Sequence, residues 1–348
     1  MAQVDARAWR RVLVRTTNWL GDAIMGLPAL AALGRALPQA ELTLLGPAWV
    51  ADLYAGEPFA HAFLVYPKTL REKMICAGEV RRRRFDAAIL LQNSFQAALF
   101  AAACRIPHRI GFARDGRSWL LTQALPAPAL KGQHERYYYL ELLRRAGLLQ
   151  SYPAVDEILL SRADQARRRG LQKFAETGLG QNVLGLSPGA AFGTAKRWYP
   201  ERYAETAGTL AHEHHLTIAL FGSASEKPLT DAIEHRLREQ GLMVKNFAGQ
   251  TTLAQFIELA AACRLMLTND SGAMHVAYAT GTPSVTIFGP TDHIGTGPVG
   301  PHARLVRHPV ECSPCKLREC PIDHRCMQGV TPAMVTAEAD KILTSRQG

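Results

Sequence analysis

The chain has 348 residues, 47% hydrophobic and 20% charged, which suits two globular cores and excludes a disordered chain. No window of about 18 uninterrupted apolar residues occurs, and the richest stretch, 87–106, is broken by Gln92, Asn93, Ser94 and Gln96, so no membrane span is expected. A net charge of +10 calls for acidic partners, but without a zinc-finger helix, an RNP-like strand or aromatic interleaving it does not suggest nucleic acid.

Residues 1–11 carry charges without a signal-type apolar core, so a cytoplasmic protein is expected. Residues 11–16 are a β-branched run. A polar turn through Asn18, Gly21 and Asp22 follows, and 23–37 has apolar residues at helical spacing until Pro38. Further strands are expected at 41–45, 62–66, 87–91 and 109–112, with helical segments between them. The basic run 81–84 reads equally as a solvated helix end or as a contact for an acidic partner. Residues 113–133, with Arg114, Arg117, Pro126, Pro128 and Gly132, read as a long rim loop that could hold an acceptor. Helices are expected at 134–149 and 161–178.

At Val183 the pattern restarts, with strands at 183–186, 216–221, 265–268 and 284–288 and helices at 200–214, 226–239, 253–263 and 272–280. The expected class is α/β, two Rossmann-like doubly wound domains at 1–175 and 176–330, followed by a helix in 331–348. Ligands of open α/β sheets bind beyond the carboxyl ends of the strands, so a central cleft lined by loops of both halves is expected.

The polar signals fall at those strand ends. Asp22 follows the first strand and is either a general base or a helix N-cap. Ser187 ends the strand at 183–186, and Lys196 with Arg197 is the best electrostatic match for a diphosphate, against the plain reading of solvated side chains. Asp270, Ser271 and Gly272 open a helix, where they serve as a cap or as a phosphate site. His275 lies one turn further, where a core or surface histidine is commoner than a ligand contact. Residues 295–300 match G-x-G-x-x-G, but Pro298 and the missing strand and helix remove the dinucleotide context. Seven cysteines, three of them single (Cys76, Cys104, Cys263), argue against a disulfide framework. Cys312, Cys315, Cys320 and Cys326, with His324 among them, either hold a structural zinc or iron or remain reduced thiols in a loop.

In order and spacing, the segments 18–22, 187–190, 196–198, 220–223, 268–275, 288–291 and 312–327 make the chain resemble the ADP-heptose:lipopolysaccharide heptosyltransferases of glycosyltransferase family 9. The resemblance covers nearly the whole length. It implies a GT-B fold, with acceptor on the N-terminal domain, donor on the C-terminal one, and the last helix packing back on the N-terminal domain. It also implies an inverting transfer, with no cofactor required, of L-glycero-D-manno-heptose from its ADP form to the first heptose of the lipopolysaccharide inner core. The acceptor would lie at the cytoplasmic membrane surface, with the enzyme peripheral on the inner face of the inner membrane. Carried over residue by residue, Asp22 is the base and Lys196 the diphosphate-binding lysine. Gly21, Ser187, Arg197, Asp270, Ser271, Gly272 and His275 complete the donor set. Glu226 corresponds to a ribose-contacting glutamate, although its spacing after Gly222 differs. Another core position, a protein acceptor, or nucleotide-sugar binding without turnover stay open as alternatives.

Overall fold

The computed structural model describes residues 6–129 and 132–345. Two compact units divide between Val155 and Asp156. In the first, strands β1 (Arg11–Arg15), β2 (Glu41–Gly46), β3 (Ala62–Val65), β4 (Ala87–Leu90), β5 (His108–Phe112) and β6 (Gln123–Leu125) pair in parallel in the order β3-β2-β1-β4-β5-β6. Val12, Leu13 and Val14 are buried on both faces of β1, as a central strand of a parallel sheet requires. Between the strands run α1 (Leu20–Met25), α2 (Leu27–Ala36), α3 (Trp49–Tyr54), α4 (Leu70–Arg82) and α5 (Phe95–Ala103), with α6 (Tyr138–Arg145) after β6.

Two sequence expectations change here. The single helix at 23–37 starts earlier and is two helices, broken at Gly26, because Pro28 in the first turn of α2 has no N–H to continue the preceding turn. The expected loop at 113–133 contains β6, which extends the sheet by pairing with β5; Leu130 and Lys131 of that loop lie outside the described residues. Strand order reverses between β1 and β4, which makes their carboxyl ends the switch point where ligands bind such sheets.

The second unit repeats the plan. Strands β7 (Val183–Ser187), β8 (Thr217–Leu220), β9 (Val244–Asn246), β10 (Leu265–Asn269), β11 (Ser284–Phe288) and β12 (Ala303–Arg307) lie in the order β12-β11-β10-β7-β8-β9. Its helices are α7 (Ala163–Glu176), α8 (Pro200–His214), α9 (Lys227–Glu239), α10 (Leu253–Ala262), α11 (Gly272–Ala279), α12 (His293–Thr296), α13 (Arg325–Gln328) and α14 (Pro332–Thr344).

The division precedes the expected 175/176 because α7 packs on α10. Gly170 lets the two helices approach: a Cβ there would meet the Glu258 carbonyl oxygen at 1.9 Å. Lys173 and Arg169 both pair with Glu258. The last helix also differs from expectation. Val335, Ala339, Ile342 and Leu343 of α14 join the core formed by Tyr203, Ala207 and Leu210 of α8, so its apolar face is buried within the C-terminal unit. Among the described residues no helix is long and apolar enough to cross a membrane.

Candidate functional site

In the C-terminal unit the site is built from Asn269, at the end of β10 and fully buried. Its Nδ2 donates to the Pro188 carbonyl at 2.6 Å, and its Oδ1 accepts from Trp198 N at 3.2 Å and Tyr203 OH at 3.0 Å. One amide thereby fixes both ends of the loop after β7. Trp198 is itself locked by Nε1 donating to Val330 O at 3.0 Å. In the sequence Asn269 stands out only as a member of the 268–275 segment, a polar residue closing an apolar strand, with no sign of this anchoring role.

The loop so anchored presents Lys196, whose Nζ lies 2.7 Å from Asp270 Oδ2. Thr291, just after β11, donates its hydroxyl to the same carboxylate oxygen. Asp270 is 3% exposed, so this carboxylate holds Lys196 in place and is not itself presented to a ligand. Phe192 lies under two cations, with Lys196 Nζ 5.0 Å and Arg318 Cζ 5.3 Å from its ring centre. Arg318 is a second cation at this place that sequence reasoning did not find.

Ser271 occupies the N-cap position of α11 but makes no capping bond, and its buried Oγ has no hydrogen-bond partner. Capping therefore does not account for Ser271. A hydroxyl and a helix N-terminus, beside Lys196 and Asp270, form a place where an anion is stabilised. Ser187, which ends β7, is buried, and Arg197 reaches the Ala190 carbonyl at 3.4 Å, with its Nε buried and unpartnered. His275 is buried in α11 and its Nδ1 lies 2.7 Å from Tyr278 OH.

Glu226 is engaged locally. Its Oε2 accepts from Ser223 N and Oγ, both at 2.8 Å, in a capping box at the start of the segment leading into α9. The carboxylate fits beside Gly189, where a Cβ would sit 2.1 Å from Oε1. Glu226 thus links the turn after β8 to the turn after β7.

The cysteine segment braces the loop after β7 and the turn after β11. Ala195 N donates to Arg318 O at 3.0 Å, His324 Nε2 lies 2.7 Å from Ala195 O, Ser313 Oγ donates to Gly289 O at 2.6 Å, and Lys316 N donates to Pro290 O at 2.8 Å. Cys326 is buried, and burial first, then the nearby Cys312, Cys320 and Cys315, pushes its thiol above the ordinary range. The four thiols are neighbours. Yet among the described residues no three of them place sulfurs mutually within 4.8 Å, so this conformation is not a closed four-thiolate site, whose metal–sulfur bonds would be about 2.3 Å.

In the N-terminal unit Asp22 sits in the first turn of α1, directly after Gly21. Its charge is felt by two buried phenols: burial first, then acidic neighbours that include Asp22, pushes the Tyr54 and Tyr139 hydroxyls up. Tyr54 OH donates to Ala23 O at 2.8 Å and so fixes α1.

At the β1/β4 switch point lies a cavity of about 820 Å³, bordered by Arg15, Asn18, Tyr66, Lys68, Gln92 and Gln96. Arg15 donates to Thr16 O and to Asn18 Oδ1, and its guanidinium stacks 4.3 Å from the Tyr66 ring centre. Burial lowers its pKa to about 10, which leaves it charged at neutral pH. The sequence signal for Arg15 was a charge at the carboxyl end of a buried strand. Of the two arginines in the 113–117 segment, Arg114 is exposed and the other behaves otherwise. Arg117 is fully buried, donating to Phe112 O at 3.0 Å, Asn93 Oδ1 at 3.0 Å and the carbonyls of Gln92 and Ser94. It supports the 92–94 turn and is not available to an acceptor.

Residues 76–325 match the family described as "Glycosyltransferase family 9 (heptosyltransferase)". The chain is 32% identical over 308 residues to lipopolysaccharide heptosyltransferase 2 of Salmonella typhimurium, covering 85% of this chain and 88% of that protein. The Escherichia coli K12 protein of the same name is 32% identical over 309 residues, with the same coverage. The solved structure of E. coli ADP-heptose lps heptosyltransferase II superposes with a TM-score of 0.83 at 29% identity, over 97% of this chain and all of that one. The architecture is a GT-B two-domain α/β fold, and the chain belongs to glycosyltransferase family 9.

Proposed function

We propose that the protein is an inverting glycosyltransferase that moves L-glycero-D-manno-heptose from ADP-heptose to the first heptose of the lipopolysaccharide inner core. The observation that carries this reading is the Lys196–Asp270 pair beside the unpartnered Ser271 hydroxyl at the start of α11. A preset cation, a hydroxyl donor and a helix N-terminus suit the oxygens of a departing diphosphate.

In this reading the Asp22 carboxylate accepts the proton of the attacking acceptor hydroxyl. The acceptor oxygen bonds to the anomeric carbon as the bond from that carbon to the β-phosphate oxygen breaks, and ADP leaves with the electron pair. Lys196, Ser271 and the amides at Gly272 stabilise the charge that grows on ADP. A single displacement inverts the anomeric centre without a covalent intermediate. Arg15 and Lys68 at the N-terminal cavity suit an acceptor bearing carboxylates and phosphates, and of the 113–133 loop the exposed Arg114 remains available to the same acceptor while the buried Arg117 does not.

The reading gives metal a structural place only. To hold zinc or iron, Cys312, Cys315 and Cys320 must draw in on Cys326. Elemental analysis decides this: one equivalent per chain supports the site, and none in a folded, ADP-binding protein removes it.

The acceptor is lipid-borne, so the reading places the enzyme at the cytoplasmic face of the inner membrane. The test is incubation with ADP-heptose and defined truncated core acceptors. ADP release that requires an acceptor ending in the first core heptose supports the reading. Release with a different core acceptor or a protein moves the acceptor assignment, and no release with any acceptor removes the transferase claim.

A further inference from the structure

Helix α4 is built the wrong way round for a helix that only fills a core. Its buried side is narrow, with Cys76 and Val80 packing into the N-terminal core. Its opposite side carries Leu70, Met74 and Ile75, which are 76%, 69% and 65% exposed. Leu70 and Met74 are four residues apart and Arg71 and Ile75 likewise, so these side chains share one face. Arg81 and Arg82 continue that face one to two turns later, and both are exposed, although one guanidinium nitrogen of Arg81 also donates to Ala103 O at 2.7 Å. Gly78 lies between, and a Cβ on it would meet nothing within 4 Å, so the middle of the face is flat and open.

The acids of α4 are turned to other tasks. Glu72 closes the capping box with Thr69, and Glu79 pairs with Arg83 at 2.6 Å. The open face is therefore apolar and cationic together. Surface helices ordinarily bury their large apolar residues, and an exposed apolar cluster flanked by basic residues is the pattern of a helix that lies in a membrane interface.

We propose that the solvent face of α4, through Leu70, Met74, Ile75, Arg71, Arg81 and Arg82, docks on an anionic lipid surface. The apolar side chains enter the headgroup boundary while the arginines meet lipid phosphates. The position of the helix gives the docking a purpose. Lys68 and Glu72, at its start, border the N-terminal cavity together with Tyr66, so a membrane-seated α4 holds that cavity at the bilayer surface. This purpose rests on the proposed function, in which a lipid-borne saccharide is the acceptor; the docking itself does not.

The test is co-sedimentation of the full chain with phosphatidylcholine vesicles, with and without phosphatidylglycerol. Wild type is expected to sediment with the anionic vesicles and to be released by salt. The variant Leu70→Ser/Met74→Ser/Ile75→Ser, and separately Arg71→Gln/Arg82→Gln, which spares the Arg81 bond to Ala103 O, are expected to weaken vesicle binding by about 10-fold or more. Both should keep the wild-type melting temperature, ADP affinity and turnover of a soluble truncated acceptor. Unchanged vesicle binding in both variants overturns the proposal. So does a wild-type dimer that the serine variant turns into a monomer with vesicle binding intact, since the face then serves a second copy. Vesicle binding that depends on this face, in a protein that releases no ADP with any acceptor, leaves the docking standing and removes the transferase reading instead.

Discussion

Lys196 Nζ and Asp270 Oδ2 lie 2.7 Å apart, with side chains 14% and 4% exposed. A buried pair of this kind adds little net stability as a pair, but removing one partner strands the other. Asp270→Ala is therefore expected to destabilise the C-terminal unit by about 3–5 kcal/mol. Lys196→Ala is expected to weaken ADP binding by about 10-fold or more and to lower kcat as well. Calorimetric titration with ADP and denaturant melts check both. ADP affinity unchanged in Lys196→Ala would remove the lysine from the diphosphate site.

Thr291 acts through Asp270, to which it donates a hydrogen bond. Thr291→Val is expected to lower kcat modestly, with Thr291→Ser restoring it, while KM for the lipid-borne acceptor stays unchanged. A purely structural role would lower the melting temperature of Thr291→Val and leave kcat per folded molecule as it was.

Asp22→Asn keeps the shape of the side chain and removes its basicity. Transfer is expected to fall by about 10²–10⁴-fold, the usual contribution of a general base, with ADP-heptose affinity kept. Single-turnover rates and donor titration measure the two separately. Undiminished transfer would show that another group accepts the proton.

Glu141, on α6, is held by Arg144 at 2.7 and 2.8 Å, by Arg145 at 2.6 Å and by Tyr152 OH at 3.1 Å. Hydrogen bonding from Arg144 leads the causes that lower its pKa from 4.5 to about 2. The folded value lies below the unfolded one, so its stabilisation is complete above pH 4.5 and is lost as the pH falls towards 2. Discounted for solvent access to the arginines, it amounts to roughly 1–2 kcal/mol. Glu141→Gln is expected to lose that amount at pH 7 and to flatten the acid side of the stability curve. An unaltered acid limb in urea melts would contradict this.

Much of the fold is legible in the sequence, for a physical reason. Strands such as β1, β7, β10 and β11 are buried on both faces and read as continuous apolar runs. Strands β6, β9 and β12 escape that reading because they are short or alternating edge strands, where one side needs no apolar residue. The allegiance of α7 is hidden in the sequence for a related reason: it looks like any charged helix until Gly170 and Glu258 attach it to α10.

The site was legible as a set of strand-end residues, but their division of labour was not. Asp270 and Ser271 read as interchangeable caps, whereas burial gives Asp270 to Lys196 and leaves the Ser271 hydroxyl unpartnered. Arg15 and Arg117 carry the same charge in the sequence. Only tertiary structure makes Arg117 a buried support of a turn and puts Arg15 at the wall of a cavity. Partners separated by whole crossover connections cannot be paired from spacing alone.

The most direct measurement is a transfer assay with ADP-heptose and a core acceptor ending in a single heptose, with the product linkage determined. The expected result is one ADP released per heptose added, with the anomeric configuration opposite to that of the donor. No ADP release from a protein that binds ADP normally, or a product that retains the donor configuration, would contradict the account.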